Sequence, residues 1–228
     1  MSQNEARYHP FPELSPYTDI DRFALFKETH KFYVAKLSEF FSVDAHFNVI
    51  DVGCGNGELL YRVKQHFPNA RCLGVDPTPA FIECAENFEG LSNVNFELGD
   101  ISFSKGKYDL VLCTGTFQIF REFEEPLSNL LSLRAEGGYL FCDGLFNKLD
   151  VETRLEFCDN STPNTEGVWR CDWNQHSRKK VSEYMQNRAN EQDFEFVDVD
   201  MNIDLPPSDI HIKNFTFRDQ FGRNLATN

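Results

Sequence analysis

Short apolar runs alternate with amphipathic stretches through the middle of the chain. Strands are predicted at 47–52 (FNVIDV), 70–75 (ARCLGV), 93–98 (NVNFEL), 108–113 (YDLVLC) and 138–143 (GYLFCD), with helices near 57–67, 79–88 and 124–134 between them. Thr78 and Pro79 mark the start of the second helix, one supplying a capping hydroxyl and the other a ring that suits a first turn. Gly137-Gly138 reads as a stop after the third. Repeated β-α-β units imply right-handed crossovers and a parallel sheet covered by helices. The tail breaks this rhythm. Segments 195–203 and 211–218 read as strands joined by too few residues for a crossover helix, so they are predicted to pair antiparallel. The expected fold class is therefore α/β: a seven-stranded, mostly parallel sheet with helices on both faces and an antiparallel C-terminal hairpin.

Two segments lie outside that core. Over 18–42 the apolar residues Phe26, Tyr33, Leu37 and Phe41 recur near helical spacing and predict an N-terminal helix. Over 145–176 the pattern is irregular, and a further helix is predicted near 177–190. A chain of 228 residues suits one generous α/β domain. Its formal net charge of −14 opposes a phosphate backbone and disfavours a nucleic-acid substrate. The basic run Arg178-Lys179-Lys180 reads as a solvated helix face. No apolar run has the length of a membrane span, and the N-terminal residues lack a signal-peptide pattern, so no membrane association is expected. Seven cysteines without metal-ligand spacing read as reduced thiols, which points to a cytoplasmic setting and no metal.

The stretch VIDVGCGNGELL (49–60) carries the most chemistry. A dinucleotide turn reads G-x-G-x-x-G and seats a pyrophosphate on a helix N-terminus. Here the third glycine arrives one residue early, giving Gly53, Gly55 and Gly57, and Glu58 stands where the dinucleotide pattern has glycine. Asp51 precedes the turn. Carboxylates on both sides would repel a pyrophosphate and suit a ligand carrying ammonium and sulfonium groups.

From VIDVGCGNG onward, residues 46 to 146 resemble the class I S-adenosylmethionine-dependent methyltransferases, which have a Rossmann-like fold. The resemblance implies that Gly53, Cys54, Gly55 and Asn56 lie under the methionine part of the cofactor and that Asp51 holds its amino group. Asp76, in LGVDPTP beside Pro77, matches the family's ribose ligand. By itself this position would equally fit NAD. Asp100 and Ile101 match the adenine contacts, and the Cys113 carbonyl matches the one facing the cofactor. The implied cofactor is S-adenosylmethionine, leaving as S-adenosylhomocysteine. One domain spanning 1–228 is expected. Within it, 1–45 forms a helical cap, 46–146 the cofactor-binding core, 147–176 an insertion over the acceptor, and 177–228 the last helix and hairpin.

The acceptor is less well marked. After the fourth strand, Cys113-Thr114-Gly115-Thr116 lacks the prolines of base-amine methylators, and Asp143 alone makes no metal site. A small-molecule acceptor is the simplest reading. Candidate acceptor residues are Phe117 after strand four and Trp169, Arg170 and Trp173 in GVWRCDWNQHS (167–177). There, indoles give shape, the guanidinium holds an anion, and His176 is a candidate general base. The competing reading is that the tryptophans pack the insertion and His176 caps the next helix. His30 is a second candidate base on the N-terminal helix, and Tyr8 or Tyr17 could cover the cofactor. The expected reaction is in-line methyl transfer to oxygen or nitrogen of a small molecule, a carboxylate included. RNA or protein methylation and an inactive cofactor-binding subunit are the alternatives.

Overall fold

The computed structural model describes residues 20–158, 167, 169–188 and 194–198. The chain divides into two compact units, one reaching to Gly144 and the other starting at Leu145.

In the first unit, the strands β1 (Asn48–Val52), β2 (Arg71–Asp76), β3 (Asn95–Leu98), β4 (Tyr108–Cys113) and β5 (Arg134–Cys142) form one sheet in the order β3-β2-β1-β4-β5. Every pairing in it is parallel. The order reverses between β1 and β4, where ligands of open α/β sheets bind. Buried Val49, Ile50, Val52, Leu110, Val111 and Leu112 make the central strands apolar on both faces, as a doubly covered sheet requires. The helices α1 (Glu28–Leu37), α2 (Glu58–His66), α3 (Pro79–Asn87) and α4 (Glu124–Leu133) supply the cover.

The N-terminal helix is shorter than predicted. A 3-10 turn over Ile20–Ala24 precedes α1, and the chain between them turns Phe26 outward, 36% exposed, beneath the Arg62 guanidinium. Tyr33 and Leu37 are buried as expected. Thr78 stands at the N-cap of α3, but no cap bond comes from its side chain. The Gly137-Gly138 pair plays a different part from the predicted one. The helix before it has already ended at Leu133, and β5 begins without a loop. The register jumps from Tyr108↔Arg134 to Leu110↔Tyr139, so the glycines sit in a bulge. A Cβ on Gly138 would stand 2.9 Å from the Asp109 carbonyl, which is why the bulge needs glycine there.

In the second unit, the structure corrects the irregular stretch expected over 145–176. β6 (Leu145–Asn147), β7 (Thr153–Cys158) and β8 (Trp169–Ser177) form a sheet in the order β6-β8-β7, with β6 parallel and β7 antiparallel to β8. The apolar alternation that announces a strand is missing because the buried positions are polar: Asn174, Gln175, His176 and Ser177. Asn174 Oδ1 accepts from the Leu155 amide at 3.1 Å, beside a register shift, and Asn147 Nδ2 donates to Gln175 Oε1 at 3.4 Å. Hydrogen bonds thus do the work that apolar contacts do elsewhere.

Helix α5 (Arg178–Gln186) follows, capped by Ser177 Oγ, which accepts from the Lys180 amide. Its three basic residues are ion-paired, Arg178 with Asp198, Lys179 with Asp150 at 2.8 Å and Lys180 with Glu152 at 2.5 Å. The described residues of the expected strand 195–203, up to Asp198, carry no regular structure. The rest of that segment and 211–218 lie outside the described residues.

Candidate active site

The glycine turn leaves β1 through three left-handed residues, Gly53, Gly55 and Gly57 (φ 82°, 55° and 83°), and Gly57 is the N-cap of α2. Four of its amides are engaged internally. Gly53 and Cys54 both donate to the Val75 carbonyl, at 2.7 and 3.1 Å, and Gly57 donates to Cys54 at 3.0 Å. The Gly55 amide donates to Asp76 Oδ2 at 2.9 Å. An anion seat at a helix N-terminus requires free N–H groups. Here the Gly55 amide, three residues before the helix, is taken by a carboxylate of the chain itself. The space a Cβ would take at Gly55 has no atom within 4 Å, so the turn is open to a ligand on that side.

Three carboxylates gather at the strand tips. Asp51 on β1 is 1% exposed, and its Oδ1 has no hydrogen-bond partner. Burial, followed by the nearby Asp76 and Asp143, pushes its carboxyl up to about 7. Asp76 closes β2. Its second oxygen accepts from the Thr78 amide at 2.9 Å, and burial raises its carboxyl against the pull of the two amides. Asp143 follows β5, where it accepts from the Gly115 amide at 2.5 Å and the Tyr33 hydroxyl at 2.7 Å. Burial raises its carboxyl too, while both bonds oppose the shift. Such a cluster, with one buried oxygen unmet, fits a ligand that brings an ammonium group to Asp51 and hydroxyls to the remaining lone pairs of Asp76.

Glu58 contributes less negative charge than its position suggests. It is buried between Arg22 and Lys27, which hold its carboxyl below the usual range although burial alone would raise it. Asn56 and Cys54 are buried in the turn. Pro77 and Asp100 meet across an open cleft of about 400 Å³, lined also by Leu98, Gly99, Ser102, Phe103 and Lys105. Asp100 is exposed and forms a turn, its Oδ1 accepting from the amide and hydroxyl of Ser102 at 2.8 and 2.5 Å. Ile101 is half-buried beside it. The Cys113 carbonyl accepts from the Asp143 amide at 3.2 Å, and the thiol is fully buried.

The acceptor candidates differ in burial and setting. Phe117 is 1% exposed and packs in the core against Phe120, so it presents no surface to an acceptor. His30 is half-buried with Nδ1 lacking a partner, and burial together with Lys27, Arg62 and Arg22 lowers it to about 4. A base held that low is a weak proton acceptor at neutral pH. Tyr8 and Tyr17 lie outside the described residues.

On β8, Trp169 and Trp173 are 67% and 52% exposed, and Trp173 is held at a left-handed φ of 55°. The side chain of Arg170 lies outside the described residues. His176 is buried, opposite Phe146 in the register, and the helix cap falls to Ser177. In the sequence Tyr33 reads only as an apolar helix position and Thr116 only as part of the segment after strand four, and nothing marks them, or the cations that meet Glu58, as site residues. Their partners lie far along the chain, 110 residues in the case of Tyr33 and Asp143.

A parallel sheet with a glycine turn at β1 and an acidic residue ending β2 is the arrangement of a nucleoside-cofactor α/β domain. A family profile described as "Methyltransferase domain" matches residues 43–200. The chain belongs to the class I S-adenosylmethionine-dependent methyltransferases.

It is 35% identical over 100 residues to a malonyl-[acyl-carrier protein] O-methyltransferase of Acetivibrio thermocellus, covering 42% of this chain and 35% of that protein. It is 30% identical over 120 residues to a trans-aconitate 2-methyltransferase of Deinococcus radiodurans, covering 53% and 46%. The chain thus spans less than half the length of these curated relatives. The sugar N-methyltransferase KedS8 of Streptoalloteichus shares the fold, with a TM-score of 0.56, 16% identity, and coverage of 79% of this chain and 85% of that one. Among the described residues no group of side chains could hold a metal ion, no helix is long and apolar enough to cross a membrane, and the cysteines are free.

The acidic cluster gives the site a pH signature. Ionising Asp51 destabilises the empty fold as pH rises from the ordinary carboxylate range through about 7, and a ligand ammonium placed beside it would offset that penalty. Affinity for S-adenosylhomocysteine is therefore expected to rise with pH from the ordinary carboxylate range up to about 7 and to level off above it. In Asp51→Asn that slope should flatten, as titration calorimetry across the range would read.

Proposed function

We propose that the protein transfers a methyl group from S-adenosylmethionine to an oxygen or nitrogen of a small-molecule acceptor, a carboxylate included. The observation that carries this reading is the glycine turn, with the amides of Gly53, Cys54, Gly55 and Gly57 taken internally, set among Asp51, Asp76 and Asp143. Such a site repels a pyrophosphate and attracts an amino-acid ammonium. Asp51 holds that ammonium, Asp76 accepts from the ribose hydroxyls, Gly55 leaves room for the chain between them, and the cleft at Pro77 and Asp100 takes the adenine. When bound, the cofactor supplies a methyl carbon already activated by its sulfonium. The protein's remaining tasks are to align the acceptor in line with that carbon and to exclude water.

For the acceptor we favour Trp169 and Trp173, whose exposed indoles offer flat apolar surface on one strand, with Arg170 as an anion-binding partner. His176 is a positioning element of that sheet in this reading, because its burial keeps it from solvent. An acceptor that reacts as a carboxylate or free amine needs no base.

The test is incubation of the purified protein with methyl-labelled cofactor and fractionated cell extract. Label should enter the small-molecule fraction. Incorporation confined to RNA or protein would overturn the small-molecule reading.

A further inference from the structure

Helix α1 has ten residues, too few to persist without tertiary support, and its N-cap, Lys27, makes no side-chain cap bond. Its seating therefore depends on the contacts of its inner face. One of these reaches the candidate site directly. Tyr33, 6% exposed, donates its hydroxyl to Asp143 Oδ2 at 2.7 Å, while Asp143 Oδ1 accepts from Gly115 in the loop after β4 at 2.5 Å. The Asp143 amide donates to the Cys113 carbonyl at 3.2 Å. One residue on, Thr116 Oγ1 donates to the Gly53 carbonyl at 3.4 Å and the Thr114 carbonyl at 3.2 Å. A continuous set of bonds thus runs from α1 through the tip of β5 and the β4 loop to the glycine turn.

We propose that Tyr33 is a positioning residue for the cofactor: through Asp143 it latches α1 to the β4 loop, so that cofactor occupancy and the seating of α1 strengthen each other. The inference rests on the assignment of the cofactor to the tips of β1 and β2. Its physical basis is charge. Asp51 and Asp143 repel one another, and an ammonium on Asp51 removes much of that repulsion. Asp143 then carries its full negative charge, and its bonds from Tyr33 and Gly115 become stronger charge-assisted ones. By linkage, a firmly held Asp143 favours the ligand in return. Tyr33 touches no reacting atom in this scheme. It fixes the wall against which the cofactor sits.

The experiment combines amide hydrogen exchange with S-adenosylhomocysteine titration on the whole chain, for the wild type, Tyr33→Phe and Asp143→Asn. In the wild type, the ligand should slow exchange in α1 by about fivefold or more. In Tyr33→Phe that slowing should vanish and affinity fall by about three- to tenfold, while the response of α3 stays as in the wild type. Asp143→Asn keeps an acceptor for Gly115 but loses the charge. It should behave like Tyr33→Phe, and it serves as the second variant if removal of the hydroxyl prevents folding. Equal slowing of α1 in the wild type and Tyr33→Phe would overturn the latch, as would no slowing in the wild type. Failure of the underlying cofactor assignment has a different signature: Asp76→Ala would then bind S-adenosylhomocysteine as the wild type does.

Discussion

Asp76→Ala is expected to weaken S-adenosylhomocysteine binding by about a hundredfold or more, because charge-assisted hydrogen bonds to two hydroxyls contribute roughly 3–4 kcal/mol together. The carboxylate is 5% exposed and already held at both oxygens by the Gly55 and Thr78 amides, so it is aimed before any ligand arrives. Its removal has opposing effects on the empty fold. Two amides lose their acceptor, while Asp51 loses a repelling neighbour. Fold stability should therefore change by less than about 2 kcal/mol while binding collapses. Calorimetric titration and thermal unfolding on the same sample separate the two effects. Asp76→Asn, which keeps the shape and one acceptor oxygen, should fall between. Wild-type affinity in Asp76→Ala would remove this residue, and the cleft beside it, from the cofactor site.

Gly53→Ala is expected to act on the fold itself. The residue sits at φ 82°, and an added Cβ would stand 2.3 Å from Thr116 Oγ1 and 2.8 Å from its Cγ2. The left-handed backbone costs about 1–2 kcal/mol with any side chain. Displacing the loop after β4 adds a comparable amount, for a total of roughly 2–4 kcal/mol. In a chain of this size that lowers the melting temperature by about 5–15 °C. The double variant Gly53→Ala/Thr116→Ala should recover most of the steric part, the Thr116 Cβ at 3.0 Å still being close, and leave the backbone part, which belongs to the φ of 82°. A single variant that melts like the wild type would mean that Thr116 moves aside freely. The proposed coupling through that loop would then need another route.

The parallel sheet, the glycine turn and the acidic tips of β1 and β2 were legible in the residues. Buried strands write themselves as β-branched runs, and a left-handed turn beside a strand needs glycine whatever surrounds it. Element ends were less legible. Gly137-Gly138 reads as a helix stop from local propensity, yet the backbone of β4 comes so close that the pair serves a bulge in β5. The sheet of β6, β7 and β8 escaped the pattern because the buried run at the end of β8, Asn174 to Ser177, is polar, and periodicity registers apolarity alone. Chemical type singles out His176 and Phe117, and both lie buried. Nothing in a residue's identity reports how many neighbours cover it.

The sequence by itself determined the donor side of this protein: the order of the strands' motifs, the early third glycine and the carboxylates at the ends of the first two strands. These are properties of contiguous residues, set by local backbone geometry and formal charge. Only the tertiary structure decided what those charges meet. Folding hands Glu58 to Arg22 and Lys27, gives Asp76 to the amides of the turn, leaves Asp51 unpaired, and joins Asp143 to a tyrosine 110 residues away. The ionisation of a carboxylate depends on burial and on partners brought together from distant parts of the chain, and neither exists until the sheet has formed.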